Sequence, residues 1–197
     1  LFRYLLPPLI LLVIFTTSTS YAKKAAIVID FGTKEVLFEF NANTKNYPAS
    51  LTKIMTLYIL FDRLEKKHIT NQTKLKVSRI AASRSPSKLY LKEGSTIKVE
   101  DAIMALIIKS ANDVATVVAE NISGTEKDFA KLMTSYARNL GMTSTTFKNA
   151  SGLPNRAQLT TARDISILSH ALISNFPEQY KLFNTEKFTY KGKTYKT

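Results

Sequence analysis

Apolar residues recur along this chain at two spacings, and each spacing predicts a different kind of element. Residues 25–30 and 35–40 are rich in β-branched and aromatic residues, and the turn-forming segment Phe31-Gly32-Thr33-Lys34 separates them, which predicts a β-hairpin. From Ser50 to about Lys66 apolar residues recur every three or four positions, which predicts a helix. So much of this helix is apolar that we expect it to be buried on most sides.

The helical spacing returns in the second half of the chain. It predicts helices over 100–109, 113–123, 125–140 and 161–174. The segment Ser110-Ala111-Asn112 interrupts the first two, and we expect Gly124 and Gly141 to end the second and third. A second hairpin is predicted at residues 188–190 and 194–196. Strands at both ends with helices between them favour an α+β fold, an antiparallel sheet packed by helices.

Residues 1–22 match the pattern of a signal peptide. Arg3 supplies a positive end, a mainly apolar stretch follows over residues 5–15, and Ser20-Tyr21-Ala22 offers small residues to the signal peptidase. The apolar stretch is shorter than the roughly 20 residues that a membrane-spanning helix needs. We therefore predict cleavage after residue 22, with a retained membrane anchor as the alternative, and a single domain over residues 23–197.

Composition narrows the classes of function. The chain has 28 basic and 15 acidic residues, a net charge of +13, but its lysines are scattered and no nucleic-acid-binding motif is present, so we predict no nucleic-acid partner. The absence of cysteine from the sequence excludes disulfides and thiol catalysis. His68 and His170 are far apart and in no metal-ligand spacing, which argues against a metal site, and neither has a serine in a turn suited to a Ser-His-Asp triad.

The motif Ser-x-x-Lys occurs four times, beginning at Ser20, Ser50, Ser85 and Ser95, and roughly two occurrences are expected by chance from this composition. The first lies at the predicted cleavage site and the third in a predicted surface loop. The fourth lies in a β-prone stretch, where residues three apart face opposite sides. The second alone opens a buried helix, where side chains three apart share a face.

Ser50 and Lys53 are residue types that suit nucleophilic catalysis. A serine hydroxyl becomes a good nucleophile when an adjacent base takes its proton. A lysine amine can be that base if burial or a cationic neighbour lowers its pKa towards neutrality. Backbone N–H groups at the start of the helix can stabilise an oxyanion. Taken alone, the motif favours a simpler interpretation, a serine near a helix N-terminus and a solvated lysine.

A second motif changes this balance. Ser110-Ala111-Asn112 is the only Ser-x-Asn in the sequence, about 60 residues after the first motif, and it lies at a break between two apolar helices. There a serine hydroxyl can relay a proton and an asparagine amide can hold a substrate amide. The alternative is a pair of helix caps, which these residue types also favour. In this order and on these elements, the two motifs match the pattern of penicillin-recognising serine enzymes.

Longer stretches carry a more specific resemblance. They are YPASLTKIMT at 47–56, IKSAND at 108–113, NASGLP at 149–154 and TARD at 161–164. Each is similar to the corresponding stretch of D-alanyl-D-alanine carboxypeptidases, in the same order, and the resemblance covers essentially all of residues 23–197. It implies a β-lactamase/transpeptidase-like α+β fold, in which a helical cluster flanks the antiparallel sheet.

The resemblance also implies a function. It points to an exported enzyme of the periplasm or cell envelope that trims the terminal D-alanine of peptidoglycan stem peptides and needs no cofactor. Ser50 would be acylated, Lys53 would be its general base, Ser110 would relay the proton to the leaving amine, and Asn112 would bind the peptide amide. β-Lactam antibiotics would acylate Ser50 as substrate mimics. A further hypothesis is that the basic surface contacts the anionic membrane or cell wall.

The sequence departs from the family pattern at its third motif, Lys-Thr-Gly. No such triplet is present, and Lys193-Thr194-Tyr195 has tyrosine in place of glycine, at the position of the hairpin that precedes the motif strand. We therefore expect a chain truncated before this motif, a partial catalytic domain that lacks the C-terminal strands of the sheet.

Three alternatives stay open. A D,D-endopeptidase of the same family would use the same residues on a cross-linked substrate. A catalytically inactive penicillin-fold binding module is compatible with the missing third motif. A serine β-lactamase is less favoured, because residues 149–160 contain no glutamate to activate a deacylating water and Ala111 stands where those enzymes commonly have aspartate.

Overall fold

The computed structural model describes residues 24–196, so the predicted signal peptide lies outside the described residues. This range begins and ends with short strands and contains most of its α-helices in the second half. The elements are β1 (Ala26–Ile29), β2 (Val36–Phe40), α1 (Thr52–Glu65), β3 (Lys74–Lys76), α2 (Arg79–Ala82), β4 (Thr96–Lys98), α3 (Val99–Ile108), α4 (Asn112–Ser123), α5 (Glu126–Leu140), α6 (Ala162–Asn175), α7 (Pro177–Tyr180), β5 (Lys187–Tyr190) and β6 (Lys193–Lys196), with 3-10 turns at Ala49–Leu51 and Lys181–Asn184.

Helices α1, α3 and α4 form the centre of the core. All residues of α4 from Asn112 to Ala119 are buried, and α4 packs against α1, α3 and α5. Helix α1 is buried from Thr52 to Phe61 except at the half-buried Ile54, as its apolar composition predicts. Since burial of one large apolar side chain stabilises a fold by about 1.5–3 kcal/mol, this cluster dominates the stability of the domain.

Local caps set the helix ends near the predicted positions. Thr125 Oγ1 accepts the Asp128 N–H at 3.0 Å at the start of α5, and Thr161 Oγ1 accepts the Asp164 N–H at 3.0 Å at the start of α6. Gly141 ends α5 in the left-handed conformation, with φ +91°. Side chains a few residues apart in sequence therefore determine these boundaries.

The strands of the described residues form three separate antiparallel pairs, β1 with β2, β3 with β4, and β5 with β6. The first and last pairs are the two predicted hairpins. The middle pair was not predicted, because β3 has three residues and its partner lies about twenty residues further along the chain. The predicted antiparallel sheet thus appears, within residues 24–196, as two-stranded pieces packed on helices.

The β1–β2 hairpin presents apolar side chains to solvent. All five residues of β2 are exposed, and Leu37 and Phe38 expose 61% and 56% of their surface. Strand β1, in contrast, packs against helix α6. Within residues 24–196, no helix combines the length and the apolar character needed to cross a membrane.

Candidate active site

The predicted nucleophile lies in the turn that leads into α1. Ser50 is the middle residue of the 3-10 turn Ala49–Leu51 and is exposed. The turn closes through a hydrogen bond from the Leu51 N–H to the Pro48 carbonyl at 3.1 Å. Ala49 has φ +46°, a left-handed conformation that costs a residue with a side chain about 1 kcal/mol or more. The backbone is thus turned sharply where it presents the Ser50 side chain.

Lys53 stands one helical turn further on and is almost completely buried, with 3% of its surface exposed. Its Nζ donates a hydrogen bond to the Ser151 carbonyl oxygen at 2.6 Å. Burial lowers the pKa of Lys53 to about 8 from its ordinary value of 10.5. At neutral pH, about a tenth of such amines are uncharged, compared with well under a thousandth for a solvated lysine.

The structure therefore gives Ser50 and Lys53 opposite environments at the same helix end. The hydroxyl is open to solvent and the amine is enclosed, which suits a nucleophile and its base. Within residues 24–196, no hydrogen bond joins the two side chains, and the amine donates to the Ser151 carbonyl. In free enzymes such contacts are often long and shorten when substrate binds.

The second motif lies at the junction of α3 and α4. Ser110 is half-buried and has φ +51°, a strained conformation for serine. Asn112 begins α4, and its Nδ2 donates to the Ser85 carbonyl at 3.0 Å while its backbone N–H donates to the Ser87 carbonyl at 2.7 Å. The bond to Ser85 orients the side-chain amide of Asn112, and within residues 24–196 no hydrogen bond to its Oδ1 is found.

Asp113 holds this junction in place. Its fully buried carboxylate accepts the backbone N–H groups of Leu89 and Leu91 at 3.0 and 3.1 Å, and of Val114 at 2.9 Å. The segment that precedes β4 is thereby tied to the start of α4. The sequence contains Asp113 within the IKSAND stretch but gives no indication of its role, because two of its three backbone partners, Leu89 and Leu91, lie more than twenty residues away.

A third segment, residues 149–152, completes the surroundings of Lys53. Thr56 Oγ1 donates to the Ala150 carbonyl at 2.7 Å, next to the Ser151 carbonyl that binds the amine. Asn149 Oδ1 accepts the backbone N–H groups of Ser151 and Gly152 at 3.2 and 2.7 Å, which fixes the turn. The sequence resemblance included this NASGLP segment without assigning a role to it.

Gly152 lies against the turn Ala49–Leu51, which carries Ser50. Its φ is +88°, and a Cβ added there would lie 1.8 Å from the Ala49 carbonyl oxygen. A position that combines positive φ with no room for a Cβ requires glycine. The segment that binds Lys53 is therefore packed directly against the turn that carries Ser50.

A cavity of about 390 Å³ opens beside this contact. Tyr47, Pro48 and Ala49 line one side, and residues 152–156 with Gln158 line the other. The cavity is mainly apolar and carries one cation, Arg156. Ala49, one of its lining residues, directly precedes the exposed Ser50.

The four predicted site residues thus fall into two groups. Ser50 and Lys53 share one helix end, and Ser110 and Asn112 share the junction before α4, which packs against α1. Within the described range 24–196, no hydrogen bond passes directly between the groups. The two histidines lie elsewhere, His68 against Arg63 and His170 against the Phe31 carbonyl, and no cluster of three metal-ligating side chains is found in that range.

Known proteins resemble this chain in sequence. A sequence profile of D-alanyl-D-alanine carboxypeptidases, peptidase family S11, matches residues 14–197. The chain is 38% identical over 173 residues to the D-alanyl-D-alanine carboxypeptidase DacC of Escherichia coli (strain K12), and the alignment covers 85% of this chain and 43% of that relative.

Solved structures of two related proteins have a similar fold. The D-alanyl-D-alanine carboxypeptidase DacD from Francisella tularensis superimposes with a TM-score of 0.83 at 36% identity, over 85% of this chain and 41% of that one. Penicillin-Binding Protein D2 from Listeria monocytogenes, in the ampicillin-bound form, superimposes with a TM-score of 0.78 at 32% identity, over 88% of this chain and 71% of that one.

The chain spans less than half the length of the Escherichia coli and Francisella tularensis carboxypeptidases. Over that span the backbones agree closely, which confirms the predicted α+β, penicillin-binding type of fold. The sequence profile covers nearly the whole chain, and the chain therefore belongs to the D-alanyl-D-alanine carboxypeptidase family, peptidase family S11.

Proposed function

We propose that the protein carrying this sequence is a serine D-alanyl-D-alanine carboxypeptidase that works through an acyl-enzyme on Ser50. The observation that carries the proposal is the buried Lys53 amine one helical turn after an exposed Ser50, in a chain of this family. The substrate is a peptidoglycan stem peptide that ends in two D-alanines. The reaction releases the last of them.

The chemistry follows from the environments of the four residues. The neutral Lys53 amine takes the Ser50 proton, and Oγ attacks the carbonyl carbon of the penultimate D-alanine. As the C–N bond breaks, the proton that Lys53 took from Ser50 returns through the Ser110 hydroxyl to the amine of the leaving D-alanine, so that Lys53 is neutral again and Ser110 keeps its hydroxyl. A water molecule then hydrolyses the ester, which restores Ser50 and frees the shortened peptide.

Asn112 is proposed to orient the substrate. Its Nδ2 is held by the Ser85 carbonyl at 3.0 Å, so the free Oδ1 is the atom that faces a partner. A carbonyl oxygen in that position accepts an amide N–H of the bound peptide. An orienting contact of this kind supports catalysis by keeping the scissile carbonyl aligned with the nucleophile.

β-Lactam antibiotics are proposed to acylate Ser50. One structural relative is known in an ampicillin-bound form, and its fold matches this chain over 88% of the chain's length. A β-lactam opened by Ser50 would leave an ester on the same oxygen as the peptide does.

We further propose export to the periplasm or cell envelope through a signal peptide at residues 1–22. Peripheral association with the membrane or cell wall would follow from the strongly basic charge, from which cleavage after residue 22 removes only Arg3. Binding to isolated cell wall, measured at increasing salt concentration, tests this proposal. Binding that depends on charge should weaken steeply as ionic strength rises, and binding that does not change with salt contradicts the proposal.

Intact-mass spectrometry after incubation with penicillin tests the nucleophile, with Ser50→Ala as the matched variant. We expect a stoichiometric adduct on the wild-type chain and a loss of about a thousandfold or more in adduct formation in the variant. An adduct that persists in Ser50→Ala contradicts the assignment. A folded wild-type chain that forms none favours the inactive binding module.

Release of D-alanine from a linear D-Ala-D-Ala peptide, compared with cleavage of a cross-linked one, tests the substrate. Faster release from the linear peptide supports the carboxypeptidase. Faster cleavage of the cross-link supports the D,D-endopeptidase. Rapid turnover of penicillin itself would support the β-lactamase.

A further inference from the structure

Glu126 has three hydrogen-bond donors around its carboxylate, on three different elements. It is the first residue of α5, and its side chain is 11% exposed. Its Oε1 accepts the Ala150 backbone N–H at 3.1 Å and the Thr116 hydroxyl at 3.3 Å. Its Oε2 forms an ion pair with Arg84. No role for Glu126 follows from the two catalytic motifs, which raises the question of what this convergence does.

The contacts of Glu126 form two arms, each a chain of hydrogen bonds that ends at a predicted site residue. The first arm runs through Ala150 to Lys53. Ala150, whose N–H Glu126 accepts, offers its own carbonyl to Thr56 at 2.7 Å. The next residue, Ser151, offers its carbonyl to the Lys53 amine at 2.6 Å. Ala150 and Ser151 are both buried. The Glu126 carboxylate thus holds, through the Ala150 N–H, the segment whose Ser151 carbonyl binds Lys53.

The other arm leads to Asn112. Arg84 Nε donates to the Thr116 hydroxyl at 3.0 Å, so the guanidinium is anchored at two points, Thr116 and Glu126. Ser85, the next residue, accepts the Asn112 Nδ2 at 3.0 Å. The carboxylate therefore also fixes the segment that orients the substrate-binding amide.

A carboxylate is the group that can satisfy this set of donors. A backbone N–H, a hydroxyl and a guanidinium all donate, and an ionised carboxylate has acceptor sites for all three and no donor of its own. Its bonds to the guanidinium are charge-assisted. A glutamine could still accept from Ala150 but could not neutralise Arg84.

From this convergence we propose that Glu126 is a positioning residue that holds the segments carrying Lys53 and Asn112 in one fixed arrangement. The inference rests on the proposed function. It is distinct from the catalytic roles, because Glu126 touches neither the nucleophile nor its base. It acts through the Ala150 backbone in one segment and through the Arg84 side chain in the other.

The two arms predict different defects. Arg84→Met removes the second arm alone, and Glu126→Gln keeps the Ala150 contact while it leaves Arg84 unpaired. In the whole protein, both variants should raise KM for the D-Ala-D-Ala peptide about 10-fold, with the pH dependence of acylation unchanged, because the amide that orients the substrate is loosened.

Glu126→Ala removes both arms. Water then reaches Lys53, and the acid limb of the pH profile for penicillin acylation should move upward by about one pH unit, because the amine is better solvated and stays protonated to higher pH. Burial is the cause of the lowered pKa of Lys53, and the charged groups of the network described above are Glu126 and Arg84. Of these, only Glu126 changes in this variant.

Tyr136→Phe is the matched control on the same helix. It removes a hydrogen bond of 2.6 Å to the carboxylate of Asp62, nine residues beyond Lys53 along α1. It should lower Tm without changing KM or the pH profile. Tm is measured for every variant, so a general loss of stability is separated from a loss of positioning.

The outcomes are distinct. A KM defect in Arg84→Met and Glu126→Gln, absent from Tyr136→Phe, supports the proposal, and this pair carries the test if Glu126→Ala does not fold. Unchanged KM in both, or equal defects in the control at equal loss of Tm, overturns it. If the wild-type protein is not acylated, the proposed function fails instead. Titration of the Lys53 amine by nitrogen NMR in wild type and Glu126→Ala then decides the first arm, and an unchanged titration overturns it.

Discussion

The helical cluster and the β1–β2 hairpin are both rich in apolar residues but bury them very differently. In α4 the residues from Asn112 to Ala119 are all buried, and in β2 all five are exposed. A helix satisfies its backbone internally and needs only neighbouring helices to cover its apolar faces. A strand needs partners on its edges and faces, which are often distant in sequence. The site residues lie on the helical side, where the scaffold is densely packed.

Replacing a phenylalanine with alanine should lower the free energy of unfolding much more in the helical core than in the hairpin. Phe61→Ala empties a fully buried position in α1 and should lower the free energy of unfolding by about 3–5 kcal/mol. Phe38→Ala on the exposed hairpin should change it by about 0.5 kcal/mol or less. Denaturant unfolding of both variants measures the difference. Similar losses would show that the hairpin face is covered in solution.

Gly152→Ala tests the contact between residues 149–152, which bind Lys53, and the turn Ala49–Leu51, which carries Ser50. Its Cβ would lie 1.8 Å from the Ala49 carbonyl oxygen at φ +88°, so the turn must move. We expect a loss of about 2 kcal/mol or more in unfolding free energy and slower acylation of Ser50. Gly94→Ala is the control, because it has a similar φ and nothing within 4 Å of an added Cβ. Equal losses of unfolding free energy in the two variants would show that the loss comes from backbone strain alone and not from the clash with Ala49.

Lys53→Met separates stability from chemistry. Burial lowers the pKa of Lys53 to about 8, below the 10.5 of the unfolded chain, so between these values the unfolded chain binds more protons. The free energy of unfolding therefore rises with pH in this window, and below it the native state carries the full cost of the buried ammonium.

Without that ammonium, Lys53→Met should be more stable at pH 7 by about 1–2 kcal/mol, after the lost hydrogen bond to Ser151 is counted. The advantage should shrink towards pH 10.5, the unfolded pKa. Acylation by penicillin should be lost. Denaturant unfolding at the two pH values checks the first point, and a variant less stable than wild type at pH 7 contradicts it.

The smallest effect is expected at the ion pair that joins the hairpin to α6. Arg163 contacts Glu39, whose side chain is 46% exposed, whereas the Glu126 carboxylate is 11% exposed. Because solvent screens an exposed pair, Glu39→Gln should change stability by about 0.5 kcal/mol or less. A larger loss, read from denaturant midpoints, would mean that the hairpin depends on this charge.

The sequence was most informative where structure depends on near neighbours. The helix of Ser50 and Lys53 and the ends of α5 followed from apolar spacing, Thr125 and Gly141. Both hairpins were predicted for the same reason. The burial of Lys53 was expected only in general terms, as a condition for its role as a base.

What could not be predicted depends on distant partners or on the backbone. The Ser151 group that binds Lys53 is a carbonyl, which every residue has and no motif records. Asp113 and Glu126 accept from segments that lie more than twenty residues away. Strand β3 exists because β4 pairs with it, and its three residues carry no pattern of their own.

The left-handed backbone at Ser110 has a consequence for laboratory evolution. At φ +51° a glycine has less backbone strain than a serine. A screen that selects for heat resistance alone would therefore enrich glycine at this position. The enriched proteins would keep the fold and lose the hydroxyl. Selection for robustness and selection for turnover would then choose different residues at position 110, and the residue found in a surviving population would tell which pressure it had experienced.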